Sequence, residues 1–340
     1  MTIMCKSCKI EAMRKEILKK DIPQLIKTLA ARHTLYAPIK KGREFVFARI
    51  KNAKKVVLDY STTILPPTKL FFPPRECLFT YDNVHLVDIH AILELDEIML
   101  NKHPDYYYQK RREKTTIVGI TGNDKNDDFH RALGVDIHQG YDLFLEDAGD
   151  RFLAKSITKK GDRILSKKWF KPTKIKEQAP AKEFSSAYQH LFELKSAVER
   201  TKDSKVWDKY AALCYGCGNC SFVCPLCFCS NVEDKPSLEK NKGIRERHYD
   251  ACFFKSFTTV HARGDEGFTF EDNHRDRFYH WYHHKFVQML AEIGKPGCVN
   301  CGRCIKYCPA GINFREVLEE VKKELNQLMK TLEHKNTRTK

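Results

Sequence analysis

The chain has 340 residues, 42% of them hydrophobic and 31% charged, enough for about two compact domains and far from the composition of a disordered chain. No apolar run nears the roughly 20 residues a bilayer crossing needs, and Met1 to Met13 holds no apolar stretch of the signal-peptide kind, so a soluble cytoplasmic protein without membrane partners is expected. Sixty lysines and arginines against 44 acids give a net charge of +16, which favours acidic partners without choosing among nucleic acid, anionic lipid and acidic protein surface.

Taken in order, residues 10 to 33 read as one or two helices, with Met13, Ile17, Leu18, Leu25, Ile26 and Leu29 near helical spacing and Pro23 as a break. From Glu44 the texture turns to short β-branched and aromatic runs, Phe45 to Phe47, Val56 to Tyr60 and Leu70 to Phe72, separated by turn residues. Val87 to Leu100 reads as a helix and Thr115 to Ile120 as a buried strand, while Leu143 to Leu145 and Arg151 to Ser156 flank a hairpin turn at Ala148-Gly149-Asp150. Arg151 to Lys176 carries ten basic residues against one acid, Asp162. That stretch reads as a solvated hairpin and linker or as a docking surface for an acidic partner. Phe184 to Val198 reads as a helix leading into a cysteine-rich half. The expected fold is α+β: a helical segment at 1–40, an α+β scaffold domain with a mixed or antiparallel sheet at 41–180, and a helical, ferredoxin-like domain at 181–340.

Fourteen cysteines in a chain of cytosolic character point to metal rather than disulfides. Cys214, Cys217, Cys220 and Cys224-Pro225 repeat the spacing of Cys298, Cys301, Cys304 and Cys308-Pro309: each is C-x2-C-x2-C-x3-C-P. A cubane [4Fe-4S] cluster needs three thiolates on a tight loop, with Gly216, Gly218 and Gly302 letting the backbone approach, and in two-cluster ferredoxins the fourth thiolate comes from the other motif. One cluster is therefore assigned Cys214, Cys217, Cys220 and Cys308, and the other Cys298, Cys301, Cys304 and Cys224. Structural zinc prefers separated knuckles and does not suit this run. Sites saturated by four thiolates store and relay electrons and make no bonds to substrate. Arg303 and Lys306, inside the second motif, are expected to favour its more negative reduced state and raise its potential above that of the first.

Six cysteines remain. Cys227, Cys229 and Cys252 could form most of a third metal or cluster site, with Cys77 or a histidine completing it, or stay as buried unliganded thiols. Cys5 and Cys8 read as a terminal segment. His274, His280, His283 and His284, among Arg275, Arg277 and Lys285, read as a basic, partly exposed face. Phe314, Val317, Leu318, Val321, Leu325, Leu328 and Leu332 form the apolar stripe of a C-terminal helix packed on its own domain. The insertion from Pro225 to Gly297 is expected to cover the clusters.

From about Leu29 to Phe314 the chain resembles the iron–sulfur electron-transfer subunit of anaerobic sulfite reductase and the β subunit of cytosolic NiFe sulfhydrogenases. The likeness is carried by Pro66-Pro67-Thr68-Lys69-Leu70-Phe71-Phe72-Pro73-Pro74-Arg75-Glu76, Asp88-Ile89-His90-Ala91 with Leu95-Asp96, Asp142-Leu143-Phe144-Leu145, Cys224-Pro225-Leu226-Cys227-Phe228-Cys229, Tyr249-Asp250-Ala251-Cys252 and His284-Lys285. The resemblance implies an electron-transfer subunit of a hetero-oligomer, placed between a flavoprotein subunit that handles NAD(P)H and a catalytic subunit, either a sirohaem sulfite reductase or a NiFe hydrogenase. Relatives carry four further cysteines where this chain has Val87, Thr121, Asp128 and His130. The resemblance thus implies loss of an additional cluster, leaving the N-terminal half as a scaffold.

A competing reading is a nucleic-acid-binding protein with structural clusters, built on the net charge, the basic stretch and Tyr106, Tyr107 and Tyr108 beside Lys110, Arg111 and Arg112. No nucleic-acid module supports it. The chain has no G-x-G-x-x-G or G-x-x-x-x-G-K-[ST] loop, so nucleotide chemistry is expected from partners. A third reading is a protein that helps build an active site at an interface with its partners.

Overall fold

The structure is a computed structural model that describes residues 14–31, 34–50, 52–60, 62–71, 80–81, 86–121, 133, 139–173, 185–236, 243–261 and 267–338. Its first half is built on a five-stranded mixed sheet in the order Val118–Ile120, Leu143–Asp147, Arg151–Ser156, Arg14–Leu18, Lys171–Pro172. The first pair is parallel and the others antiparallel. A smaller sheet pairs Glu44–Arg49 with Leu35–Lys41, which runs parallel to Thr80–Tyr81.

Four sequence expectations fail here. Arg14–Leu18, read as helix, is a strand, because Ile17 fills a core position between Phe152 and its neighbours once Arg151–Ser156 offers a free edge. Pro23 does not break the following helix, Ile22–Ala30, but stands in its first turn, where the missing N–H costs nothing. Likewise Thr68–Phe71, read as part of a strand, is a short helix that starts just after Pro66-Pro67. Of Val56 to Tyr60, only Val56 makes a bridge, to Ile39.

The helix Leu86–Leu100 is apolar on more than one side. Ile89, Ile92 and Leu95 pack with Tyr108, Ile117 and Tyr141, whereas Val87 and Ala91 pack against Cys224, Leu226 and Val299. A helix so placed has no solvent face to keep polar, and it joins the sheet to the cysteine-rich half. That half is helical. Ser185–Arg200, Lys205–Leu213, His274–His283 and the start of Phe314–Arg338 enclose Trp207, Tyr282, Phe286 and Val317. The inner part of the C-terminal stripe, Phe314 to Val321, is buried in this core, as expected, while Leu328 and Met329 are exposed. Among the described residues no helix is long and apolar enough to cross a membrane.

Candidate metal centres

The two cysteine motifs fold alike, residue for residue. Gly216 and Asn300, each after the first cysteine of its motif, are left-handed (φ 65° and 57°), and the N–H of each donates to the sulfur of Cys214 or Cys298 at 3.4 Å. Gly218 and Gly302 are left-handed again (φ 72° and 70°) and open the short helices Asn219–Phe222 and Arg303–Lys306, which carry Cys220 and Cys304. Glycine takes this conformation freely and asparagine tolerates it. Asn300, the one non-glycine residue with positive φ among those described, is held by Arg315, which donates to its Oδ1.

The last cysteine of each motif lies near cysteines of the other motif. Cys224, from the first motif, lines one cavity with Cys298, Cys301 and Cys304 of the second, together with Lys285 and Trp281. Reciprocally, Cys214 has Cys217 and Cys308 as electrostatic neighbours, and Cys220 has Cys214, Cys217 and Cys224. The short helices pack together, and Asn219 Nδ2 donates to Tyr307 O at 3.4 Å.

The donor set suits an iron–sulfur cube: soft sulfur ligands, amide N–H groups aimed at sulfur, and little water. Leu226 N and Ile312 N add two such donors, to Cys224 and Cys308, both at 3.4 Å. Burial pushes the thiols of Cys220, Cys301 and Cys304 up and that of Cys298 up to about 12. They are therefore poor free nucleophiles, and metal binding would displace their protons. Among the described residues no three His, Cys, Asp or Glu side chains converge on a single-ion position.

Cations approach the second set differently from expectation. Arg303 is buried beside Cys301, but Asp88 neutralises it through two hydrogen bonds of 2.7 and 2.8 Å, and Arg303 Nε donates to Thr63 O at 3.0 Å. Lys306 is spent on Glu44 at the surface, 2.9 Å away. The uncompensated charge is Lys285, read from sequence as part of an exposed basic face but only 3% exposed. Its Nζ donates to Cys224 Sγ at 3.2 Å and to Gly297 O at 2.8 Å. Burial penalises that charge, and the sulfurs of Cys224, Cys227 and Cys298 more than offset the penalty. A π-helical turn, His284–Gln288, interrupts the α-helix at this residue. Lys69 is a second buried cation, lowered to about 8 by burial; it donates to Cys227 O at 2.9 Å and lies over the Tyr249 ring. Sequence reasoning singled out neither Lys69 nor Asp88 nor Lys285 as functional, although all three lie in strings that carry the family resemblance.

Cys229 is an electrostatic neighbour of Cys227 and lies beside Cys252. Cys227 is hydrogen-bonded to Cys224, and Cys229 to Cys252. Of the four positions where relatives have extra cysteines, Val87 is buried in the apolar patch with Cys224, and Thr121 hydrogen-bonds to the Leu145 and Asp147 backbone. Asp128 and His130, like Cys5, Cys8 and Cys77, lie outside the described residues.

The features behind the nucleic-acid reading disperse. Tyr108 and Arg111 are buried and Arg112 is paired with Asp96, leaving Tyr106 and Tyr107 exposed. Within the basic stretch, Arg151 is paired with Glu16 and Asp150, and Lys160 donates to Glu113 O and Thr115 O. His280 is paired with Glu271, and the helix His274–His283 buries Phe278, Tyr279, Trp281 and Tyr282.

Comparison with known proteins agrees with this geometry. Residues 213–312 match the 4Fe-4S dicluster domain family. The chain is 33% identical, over 329 residues, to sulfhydrogenase 2 subunit beta of Pyrococcus furiosus, a match covering 89% of this chain and 96% of that one. No solved structure matches it.

Proposed function

The chain belongs to the family of sulfhydrogenase β subunits, and from that premise we propose that it relays single electrons between a flavoprotein subunit linked to NAD(P)H and a catalytic subunit, either a NiFe hydrogenase or a sulfite or sulfur reductase. It is an iron–sulfur electron-transfer protein, and within a hetero-oligomer it would perform no bond chemistry at its clusters. The observation that carries the reading is the cavity shared by Cys224 with Cys298, Cys301 and Cys304.

We assign Cys214, Cys217, Cys220 and Cys308 to a first [4Fe-4S] cluster and Cys298, Cys301, Cys304 and Cys224 to a second. Such clusters, when bound, supply one-electron storage and transfer. The chain's own residues set the conditions. Trp281, Phe314 and Val299 exclude water from the second set, and Lys285 and the amide donors hold charge at its sulfurs. On the first set, Cys217 is exposed, as are Leu213 and Tyr215 just before it in the chain, which makes this the side for exchange with a partner. The sheet core and the helical core around Trp207 support two units, with Ile17 to Ile26 belonging to the sheet core and with the Val87–Cys224 patch and Arg303–Asp88 joining the two.

Reconstitution with the flavoprotein and terminal subunits, under strict anaerobiosis, tests the relay. Cys217→Ser or Cys301→Ser should halt electron flow from NAD(P)H to the terminal subunit. Undiminished flow in both variants would reject the relay.

A further inference from the structure

Three described thiols lie outside the two ligand sets, and two of them meet. The ladder Ser230–Pro236 against Gly243–Tyr249 ends on the pair Ser230 and Tyr249. Just below it, Asp250 N donates to Cys229 O at 3.0 Å, and Cys229 packs against the core cluster that contains Cys252. The Cys229 sulfur lies within hydrogen-bond reach of the sulfur and the backbone N–H of Cys252. Behind it, Cys252 is buried and its sulfur lies 3.9 Å from Ser221 Oγ, the residue after Cys220.

The two sulfurs are placed for different roles. Cys229 is partly exposed, and two donors plus the nearby Lys285 and Lys69 cations stabilise its anion, holding its thiol down to about 7. Cys252 is pushed well above the ordinary range by its hydrogen bond to Cys229 and by burial. An acidified, accessible thiol with a second thiol behind it is the arrangement of an attacking and a resolving cysteine. Cys227 is not part of the pair, since its hydrogen bond goes to Cys224.

We propose that Cys229 and Cys252 form a redox-active dithiol that reduces low-molecular-weight disulfides. The Cys229 thiolate attacks one sulfur of the substrate R–S–S–R, forming Cys229–S–S–R and releasing the first thiolate. The Cys252 sulfur then attacks Cys229, closing the internal disulfide and releasing the second thiolate, while its proton goes to solvent or to the leaving group. Two electrons from a low-potential one-electron donor and two protons restore the dithiol. The sum is R–S–S–R plus two electrons and two protons giving two R–SH. The proposal rests on the relay reading only for the supply of those electrons.

Anaerobic holoprotein treated with oxidised glutathione, then denatured with alkylation of free thiols and mapped by peptide mass, should contain a Cys229–Cys252 cross-link. Iron content should be unchanged. In Cys252→Ser the glutathionyl group should stay trapped on Cys229, and in Cys229→Ser both products should be lost. Full alkylation of both cysteines, a Cys227–Cys229 cross-link, or loss of iron in the two serine variants would overturn the proposal. Failure of the relay reading shows separately, as untreated protein that lacks about eight irons.

Discussion

Lys285 Nζ donates to Cys224 Sγ at 3.2 Å in a site where neither residue reaches more than a tenth of its exposed area. A charge-assisted hydrogen bond of this kind is worth about 1.5–3 kcal/mol, and it favours whichever cluster state carries more negative charge. The second cluster should therefore titrate at a higher potential than one held by thiolates and amides alone.

Lys285→Met should lower the midpoint of the second cluster by on the order of 60 mV, the one-electron equivalent of the lower end of that range. The first cluster should hardly move. Lys285→Arg keeps the charge and should recover part of the shift. Redox titration followed by electron paramagnetic resonance reads both midpoints, and an unmoved second signal in the methionine variant would count against this role.

The exchanged ligand sets make a second expectation. Cys217→Ser and Cys308→Ser should extinguish one and the same cluster signal, and Cys224→Ser and Cys301→Ser the other. If Cys224→Ser instead groups with Cys217→Ser, the last cysteines are not exchanged.

The buried Arg303–Asp88 pair binds the helix Leu86–Leu100 to the second motif, with both side chains 1% exposed. Asp88→Asn leaves a guanidinium without its counter-ion and should cost about 3–5 kcal/mol. Removing both charges with Asp88→Leu and Arg303→Met should cost less than either single change in anaerobic denaturant titrations. Strict additivity of the two singles would show that they do not act as a pair.

Gly218 and Gly302 share a backbone conformation but not surroundings. A Cβ on Gly218 would meet Ala251 Cβ at 2.9 Å and Phe254 Cζ at 3.0 Å, while one on Gly302 would meet nothing within 4 Å. Gly302→Ala should carry only the left-handed penalty of about 1–2 kcal/mol. Gly218→Ala should cost more and lower occupancy of the first cluster, as iron analysis would reveal.

Glu94 is buried, and its Oε2 has no hydrogen-bond partner among the described residues. Burial raises its carboxyl well above the ordinary value. A raised acid contributes stability that is complete below its unfolded pKa, about 4.3, and is lost as pH climbs from there through the folded pKa. Glu94→Gln should melt near the parent temperature at pH 4.5 and above it at pH 8. Parallel melting curves across that range would refute the assignment.

Both halves of the fold class were legible, and so was the dicluster domain, because three thiols in seven residues followed by Cys-Pro leave few other solutions. The hairpin at Ala148 to Asp150 and the helix Leu86–Leu100 were legible from local pattern. Arg14–Leu18 was not, since five residues of mixed character become a strand only when the edge of Arg151–Ser156, more than a hundred positions away, is there to pair with. Lys285 misled for a related reason: histidines and arginines around it imply a wet face, and only the π-helical turn shows that this one lysine points inward.

The chemistry of this protein is local information. Cysteine spacing within a loop is set by a few bonds, so the dicluster domain could be named from the string alone, as could the family. What surrounds those ligands is long-range. The partner of Arg303 comes from Asp88, the ammonium on Cys224 from Lys285 and the mate of Cys229 from Cys252. These are burial and contact effects, which exist only once distant segments pack and water is gone, and so the tuning of the site was decided by tertiary structure.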